Sequence, residues 1–367
     1  MRRRLSSFFY VRPFGFAFDA DNVLESCTMT AVRSFEQTPP EARGLLKVQI
    51  KDLGLKLEGS MLEKYIAQLY RELAAKGLSR FHPPCYLSDE WACPDREPII
   101  GIPFYLADPK LAALEQAVND IEDEREIMMY LRHEAGHAFN YAYELYATRE
   151  WHELFGPFDR AYSDDYKPVP FSRGFVRHIA GWYAQKHPDE DFAETFAVWL
   201  TPRLNWRRRY QGWAALAKLE YVDRTAKALG EKDPRRSVGK AELPVDEMQA
   251  TIEDFYRERA PDETQAVADL PLDVDLDDLF LPAAPQRSRS AAEFLAEHRK
   301  VIVDKITYWT GVRRTLVKHL VESIEKRAKE MDLAVDRTRE SAHLVEVVSY
   351  ATTLVMNYLT RGRFTEK

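Results

Sequence analysis

The pentapeptide His133-Glu134-Ala135-Gly136-His137 lies at the end of an apolar-periodic run that begins at Ile127. This spacing predicts a helix, and residues four apart on a helix lie on the same face. The imidazoles of His133 and His137 can therefore reach one metal ion. Glu134 follows one position along, where its carboxylate can reach a water molecule at the metal rather than the metal itself. Two neutral imidazoles and one carboxylate base are the groups that a metal-assisted hydrolase needs.

The alternative is an ordinary helix that carries two unrelated histidines. The chain has nine histidines among 367 residues, so an HExxH pattern arises by chance in roughly a few per cent of such chains. The helical context makes coincidence rarer still, and we take the metal site as the interpretation to test.

A catalytic zinc ion has three protein ligands and a water molecule. One class of zinc enzyme takes its third ligand from HExxHxxGxxH, but the matching positions here are Asn140 and Tyr143. The other common solution is a glutamate on a later helix. Residues 189–200 have helical apolar spacing, and Glu194 lies there between two alanines that let a neighbouring helix approach closely. Because a buried carboxylate needs a partner or a metal, Glu194 is the predicted third ligand.

Other residues remain open as alternatives. Glu190 and Asp191 lie in the first turn of the predicted helix, where acidic side chains favour the helix dipole. Asp191, one turn before Glu194, is also a candidate to orient a ligand imidazole. His152 and His178 are further candidate ligands.

These two segments resemble a known group of enzymes. An HExxH motif followed at a distance by a helical glutamate resembles the gluzincin zinc peptidases, and residues 131–137 and 191–197 are similar to bacterial zinc-binding metallopeptidases. The likeness runs from about residue 45 to residue 200. It implies a zincin-like fold and a Zn²⁺ cofactor held by His133, His137 and Glu194, with Glu134 as the base. Familiar gluzincins carry an acidic residue four positions after the ligand glutamate, but that position here is Val198.

Peptide hydrolysis also needs a donor for the developing oxyanion. The segment before the predicted Glu194 helix offers Tyr183, His178 and Arg173, of which Tyr183 is the first choice and His178 the second. Zincins bind substrate along the edge of a sheet by main-chain pairing. The apolar run from Pro98 to Leu106 contains Pro103, which favours an edge strand, and a buried strand is the equal alternative.

Composition narrows the class of protein. A net charge of −7 argues against general binding to nucleic acid. The chain has three cysteines without metal spacing, which predicts reduced thiols. The basic start, Met1 to Arg4, is not followed by the apolar core of an export signal, and no run is long enough to span a membrane. We therefore expect a cytoplasmic protein that binds neither nucleic acid nor membrane.

The chain order predicts an α+β protein. Residues 1–44 are expected to be irregular, and residues 45–229 to form a zincin-like metallopeptidase domain with a small sheet and the HExxH helix. Residues 230–290 are rich in Asp and Pro, which predicts a linker or a lid over the cleft. Apolar stripes in residues 291–367 predict a C-terminal helical region.

The leading functional hypothesis is a zinc-dependent metallopeptidase that acts on a protein or peptide, with activity that falls in acid as the histidines take up protons. The alternative is a non-catalytic or regulatory zinc-binding protein that acts through partner binding by its C-terminal helices. A zinc hydrolase of non-peptide amides is a third possibility, because the reaction at the metal is the same.

Overall fold

A computed structural model describes residues 43–118, 121–162, 166, 168–259, 267, 270–282, 288–312 and 314–365. The predicted irregular segment 1–44 lies almost wholly outside them. The chain divides into two compact units, Met1–Ala260 and Pro261–Lys367. Helices and small sheets occur in both, which confirms the predicted α+β class. None of the described helices is both long and apolar enough to cross a membrane.

The described helices of the first unit are α1 (Leu62–Ala75), α2 (Pro109–Val118), α3 (Glu124–Ala142), α4 (Arg149–Phe155), α5 (Pro188–Leu200), α6 (Trp206–Arg209), α7 (Ala215–Leu229) and α8 (Ile252–Arg259). Its strands are β1 (Cys85–Ser88) and β2 (Ile100–Pro103). Short 3-10 helices are found at Ile50–Leu53, Phe104–Ala107, Leu145–Ala147, Tyr183–Gln185 and Val245–Glu247.

The second unit contains α9 (Asp273–Leu279), α10 (Ala291–Thr310), α11 (Arg314–Glu330) and α12 (Glu340–Arg361). The last three are the helices that the apolar stripes predict. Three short strands, β3 (Leu281–Pro282), β4 (Ser288–Ser290) and β5 (Leu333–Asp336), form an antiparallel sheet in the order β3-β5-β4. The apolar stripes gave no indication of this sheet.

The structure divides the segment 230–290 between the two units. Val245, Met248 and Phe255 are buried in the core of the first unit, whereas Leu276 and Phe280 belong to the core of the second. The boundary therefore falls inside the predicted linker, and several of the apolar residues spaced among its aspartates and prolines are core residues. The acidic stretch predicted as a lid contains α9, which is part of the second unit.

Residues 45–55 contain the 3-10 helix Ile50–Leu53, and backbone hydrogen bonds join this segment to residues 248–253. For the apolar run from Pro98 to Leu106, the structure supports the buried-strand alternative. The candidate substrate-binding edge contains β2, which is fully buried and parallel to β1. Gly101 of β2 also exchanges backbone hydrogen bonds of 2.7 and 3.2 Å with Ala92 on its other side. The middle of this strand therefore has no free edge to offer a substrate.

Helix α3 begins at a capping box. The carboxylate of Asp123 accepts hydrogen bonds of 2.9 Å from the backbone N–H groups of Arg125 and Glu126, and Glu126 accepts one of 3.0 Å from the N–H of Asp123. This pairing satisfies N–H groups that have no partner inside the helix. It fixes the start of the helix three turns before His133.

Helix α5 begins at Pro188, a residue whose fixed backbone angle suits the first helical position. His187 caps it by accepting the N–H of Asp189 at 3.1 Å. Acidic side chains occupy positions 189, 190 and 191 of the first turn, where they complement the helix dipole. Helix α5 is buried along its whole length, so these acids face protein rather than solvent.

Helices α3 and α5 pack against each other at Gly136. A Cβ atom added there would lie 2.8 Å from Cα and 2.9 Å from the carbonyl oxygen of Ala193, closer than real Cβ contacts come. One turn away, the rings of Phe139 and Phe196 are 5.1 Å apart. The close approach that small residues around Glu194 predict is therefore present, and glycine at position 136 allows it.

Gly136→Ala is expected to destabilise the protein by about 1–3 kcal/mol, because the atoms it meets are backbone and cannot turn aside. The better helix propensity of alanine, worth up to about 1 kcal/mol, opposes only part of this cost. Urea denaturation measures the change. Gly174→Ala is the control, since its Cβ would meet only Ser172 Oγ at 3.6 Å. Equal stability of the two variants would show that the helices separate without cost.

Candidate metal centre

Helices α3 and α5 bring two imidazoles and one carboxylate together. His133 Nε2 lies 3.1 Å from His137 Nε2, and Glu190 Oε2 lies 3.0 Å from the first and 3.2 Å from the second. Each of the three residues offers one ligand atom, and these atoms all lie within 4.8 Å of one another. All three side chains are buried. They are the residues of the described chain that could together hold a metal ion.

The other nitrogen of each ring faces a carboxylate. His133 Nδ1 lies 3.0 Å from Glu194 Oε1, and His137 Nδ1 lies 2.9 Å from Asp189 Oδ2. A carboxylate accepts a hydrogen bond from the N–H of the nitrogen it faces, so the other nitrogen of a neutral ring carries no proton. Both Nε2 atoms and Glu190 Oε2 are then hydrogen-bond acceptors. Three acceptors that converge in this way need a proton or a cation among them.

Without a metal, protons meet that need. Burial opposes charge on His133, but the carboxylates of Glu190 and Glu194 outweigh it and raise its pKa to about 9. Burial likewise opposes charge on His137, and Asp189 and Glu190 hold its pKa well above the usual range. The same imidazoles overcome the effect of burial on Glu190 and lower its pKa well below normal. A metal ion must displace these protons, so metal binding weakens as the pH falls.

Asp189 is held firmly behind His137. Its carboxylate accepts a hydrogen bond of 2.8 Å from the side-chain amide of Asn140 and another from the hydroxyl of Tyr141. Both donors lie on α3, on the turn after His137. Asp189 can therefore fix the orientation and tautomer of that imidazole, as outer partners of metal-binding histidines do.

Glu194 is buried, as predicted, but the structure places it behind His133 rather than beside the Nε2 atoms. One oxygen faces Nδ1, and the other accepts a hydrogen bond of 2.9 Å from the N–H of Ile179. Glu190, one turn earlier on α5, takes the position expected for the third ligand. With Glu190 in that role, the acidic residue four positions later is Glu194. The gluzincin spacing, in which an acidic residue follows the ligand glutamate by four positions, is therefore present between Glu190 and Glu194. It is absent between Glu194 and Val198.

Asp191 does not contact either imidazole. It accepts a hydrogen bond of 2.5 Å from Lys218 of α7, whose ammonium group also donates to the carbonyl of Gly174 at 2.8 Å. Burial raises the pKa of Asp191 to about 7 in spite of this lysine. Two other acids take the orienting role expected of Asp191. Asp189 faces Nδ1 of His137, and Glu194 faces Nδ1 of His133.

Glu134 is buried beside the two histidines, and neither of its carboxylate oxygens has a hydrogen-bond partner among the described residues. Burial raises its pKa to about 7, against the opposing effect of His133 and His137. An unpartnered buried carboxylate is costly. A pKa near neutrality suits a group that takes up and returns a proton.

Tyr183 lies in the centre and His178 does not. The ring of Tyr183 is 5.8 Å from that of His133, and its hydroxyl lies 3.3 Å from Glu190 Oε1. His178 Nε2 instead lies 3.0 Å from the carbonyl oxygen of Met129, and His152 is exposed on α4. Tyr162, which the sequence gave no reason to select, reaches Glu190 Oε1 at 3.2 Å.

No curated protein and no solved structure matches the chain. Residues 100–206, which carry both helices of the metal centre, match the family whose model is described as "Putative zinc-binding metallo-peptidase", and this confirms the resemblance that the two motifs predict.

Proposed function

We propose that this protein is a zinc-dependent metallopeptidase in which His133, His137 and Glu190 hold the metal and Glu134 is the general base. One observation carries the proposal: the two Nε2 atoms and Glu190 Oε2 converge within 3.2 Å of one another. A carboxylate behind each imidazole ring orients it towards this point. Two histidines and one glutamate are a ligand set of catalytic zinc, which leaves a position for water or substrate.

The charges around the centre also fit a divalent cation. Five buried carboxylates, those of Glu134, Asp189, Glu190, Asp191 and Glu194, surround it. Among the described residues, these carboxylates pair with only three groups that can carry positive charge, which are the two imidazoles and Lys218. Buried charges of one sign need compensation. A bound Zn²⁺ supplies it.

Zinc polarises a carbonyl group and makes a water molecule a stronger acid. Glu134 accepts the proton of the attacking water and passes it to the leaving amine, so that it returns to its starting state. Its unpartnered oxygens support this role, because no described hydrogen bond must break before a proton arrives. A purely structural zinc site has no use for such a group and usually has four protein ligands. This favours an enzyme over the non-catalytic alternative.

Tyr183 is the donor that we propose for the oxyanion. Its ring packs against His133, and burial holds its pKa well above the usual range, so it keeps its proton. A protonated hydroxyl beside the metal ligands can donate to negative charge that develops there. His178 is set aside for this role, because its ring nitrogen faces the Met129 carbonyl.

A cell lysate tests the proposal. Zinc-loaded wild-type protein is expected to generate new peptide termini that are absent after treatment with a chelator and return when zinc is restored. Mass spectrometry of the termini reports activity and side-chain preference together. If no peptide bond is cut by a protein that holds one zinc ion, the peptidase proposal is abandoned.

A further inference from the structure

Glu190 uses its two oxygens for different partners. Oε2 faces the two Nε2 atoms, whereas Oε1 faces the hydroxyls of Tyr162 and Tyr183, at 3.2 and 3.3 Å. A carboxylate can offer a metal one oxygen or both. The two hydroxyls occupy Oε1 and leave Oε2 for the metal.

We propose that Tyr162 is a positioning residue that restricts Glu190 to one-oxygen metal binding. The proposal rests on the proposed metal centre. Tyr183 has a second role there, because its hydroxyl is the candidate oxyanion donor. When Tyr183 turns towards substrate, Tyr162 remains to hold Oε1. Two donors on one oxygen thus allow one to leave without releasing the ligand.

The position of Tyr162 is fixed by His187. The two rings are stacked with centroids 3.8 Å apart and planes inclined by 12°. His187 is buried and bonded through both nitrogens: Nε2 donates to the carbonyl of Arg160 at 2.7 Å, and Nδ1 accepts the N–H of Asp189 at 3.1 Å. The residue that caps α5 therefore also supports Tyr162.

Exposure distinguishes the two tyrosines. Tyr183 is 8% exposed and Tyr162 is 39% exposed, although the hydroxyl of Tyr162 reaches a buried carboxylate. Phenylalanine keeps the ring that stacks on His187 and removes only the hydroxyl. Tyr162→Phe therefore tests the hydrogen bond to Glu190.

The test compares Tyr162→Phe, Tyr183→Phe and the double variant with wild type. Tyr166→Phe is the matched control, since its hydroxyl donates to the carbonyl of Gly181 at 2.7 Å. Loss of an outer partner weakens metal binding by about 10–100-fold. We expect about a tenfold rise in the zinc Kd of Tyr162→Phe and a larger rise in the double variant. Tyr166→Phe should bind zinc as wild type does.

Cobalt provides a second measurement that does not depend on activity. Four-coordinate cobalt(II) absorbs visible light more strongly than five-coordinate cobalt(II). If Oε1 is released to the metal, the cobalt-loaded double variant should absorb more weakly than wild type and Tyr166→Phe. Circular dichroism verifies that each variant is folded.

The outcomes separate the two proposals. If all the variants have the zinc Kd and cobalt spectrum of wild type, Tyr162 does not position Glu190, and the peptidase proposal is unaffected. If wild type holds zinc but cleaves no peptide, the peptidase proposal fails, and a change in the Tyr162 variants would still support the positioning role. If wild type binds no zinc, both are overturned.

Discussion

Glu134→Gln is expected to abolish peptide hydrolysis while the protein still binds one zinc ion. Glutamine has the size of glutamate but cannot accept the proton of the attacking water. General base catalysis contributes about 10²–10⁴-fold to a rate, so the variant should be slower than wild type by at least about a hundredfold. In the described residues Glu134 makes no hydrogen bond to the candidate ligand atoms and is not one of the three residues that converge on the metal position, so zinc stoichiometry should be unchanged.

The same substitution should leave the fold intact. Both carboxylate oxygens of Glu134 lack hydrogen-bond partners in the described residues, so no such bond is lost. A neutral amide is also less costly to bury than a carboxylate. Thermal unfolding of the zinc-free protein should therefore show equal or greater stability.

Glu124→Gln is the matched control for this prediction. Glu124 lies on the same helix, but its side chain is 75% exposed and pairs with Lys64 at the surface. Its variant should cleave as wild type does. Cleavage by Glu134→Gln at the parental rate, with zinc bound, would remove Glu134 from the mechanism and return the protein to the non-catalytic alternative.

The sequence predicts the first half of the centre because helical geometry determines it. Residues 133 and 137 share a helix face wherever that helix lies, and their ring nitrogens meet in the structure. The capping box at Asp123 and the proline at the start of α5 also have local signatures. Such features depend on neighbours within one or two turns, which a sequence displays directly.

The third ligand depends on tertiary packing, which the sequence does not display. Positions 190 and 194 are one turn apart on the same face of α5, so either carboxylate can point towards α3. The contact between Gly136 and Ala193 fixes the position of α5 along the axis of α3. It places Glu190 at the Nε2 atoms and Glu194 at Nδ1. One available signal favoured this register, because Glu190 and Glu194 have the gluzincin spacing of ligand and orienting acid.

The role of Asp189 and Tyr162 was also hidden from sequence reasoning. Three consecutive acids at a helix start are explained by the helix dipole alone, so nothing singles out Asp189 as the partner of His137. Tyr162 lies 28 residues before Glu190, and only the folded chain brings its hydroxyl there. The boundary between the two units at residue 260 could not be predicted either, because apolar residues within an acidic segment do not reveal which core they join.

Glu190→Gln is expected to remove zinc from the protein, whereas Glu194→Gln should weaken binding without abolishing it. Glu190 presents its oxygen to both Nε2 atoms, so its variant loses a charged ligand from a three-ligand set. The carboxylate of Glu194 accepts from His133 Nδ1 with one oxygen and from the N–H of Ile179 with the other. Glutamine at position 194 keeps one of these oxygens, so it can accept from His133 Nδ1 but no longer from both donors. Its cost should be that of an outer partner, roughly 10–100-fold in zinc affinity.

Competition with a chromophoric chelator measures both affinities, and Asp191→Asn is the control. Asp191 is a buried acid of the same helix turn, but it pairs with Lys218 rather than with an imidazole. If loss of any negative charge on α5 weakened zinc binding equally, Asp191→Asn would match Glu190→Gln. We expect its zinc affinity to stay close to that of wild type, since no atom that would contact the metal has changed. Zinc retained by Glu190→Gln and lost from Glu194→Gln would restore Glu194 as the third ligand and require α5 to shift by one turn against α3.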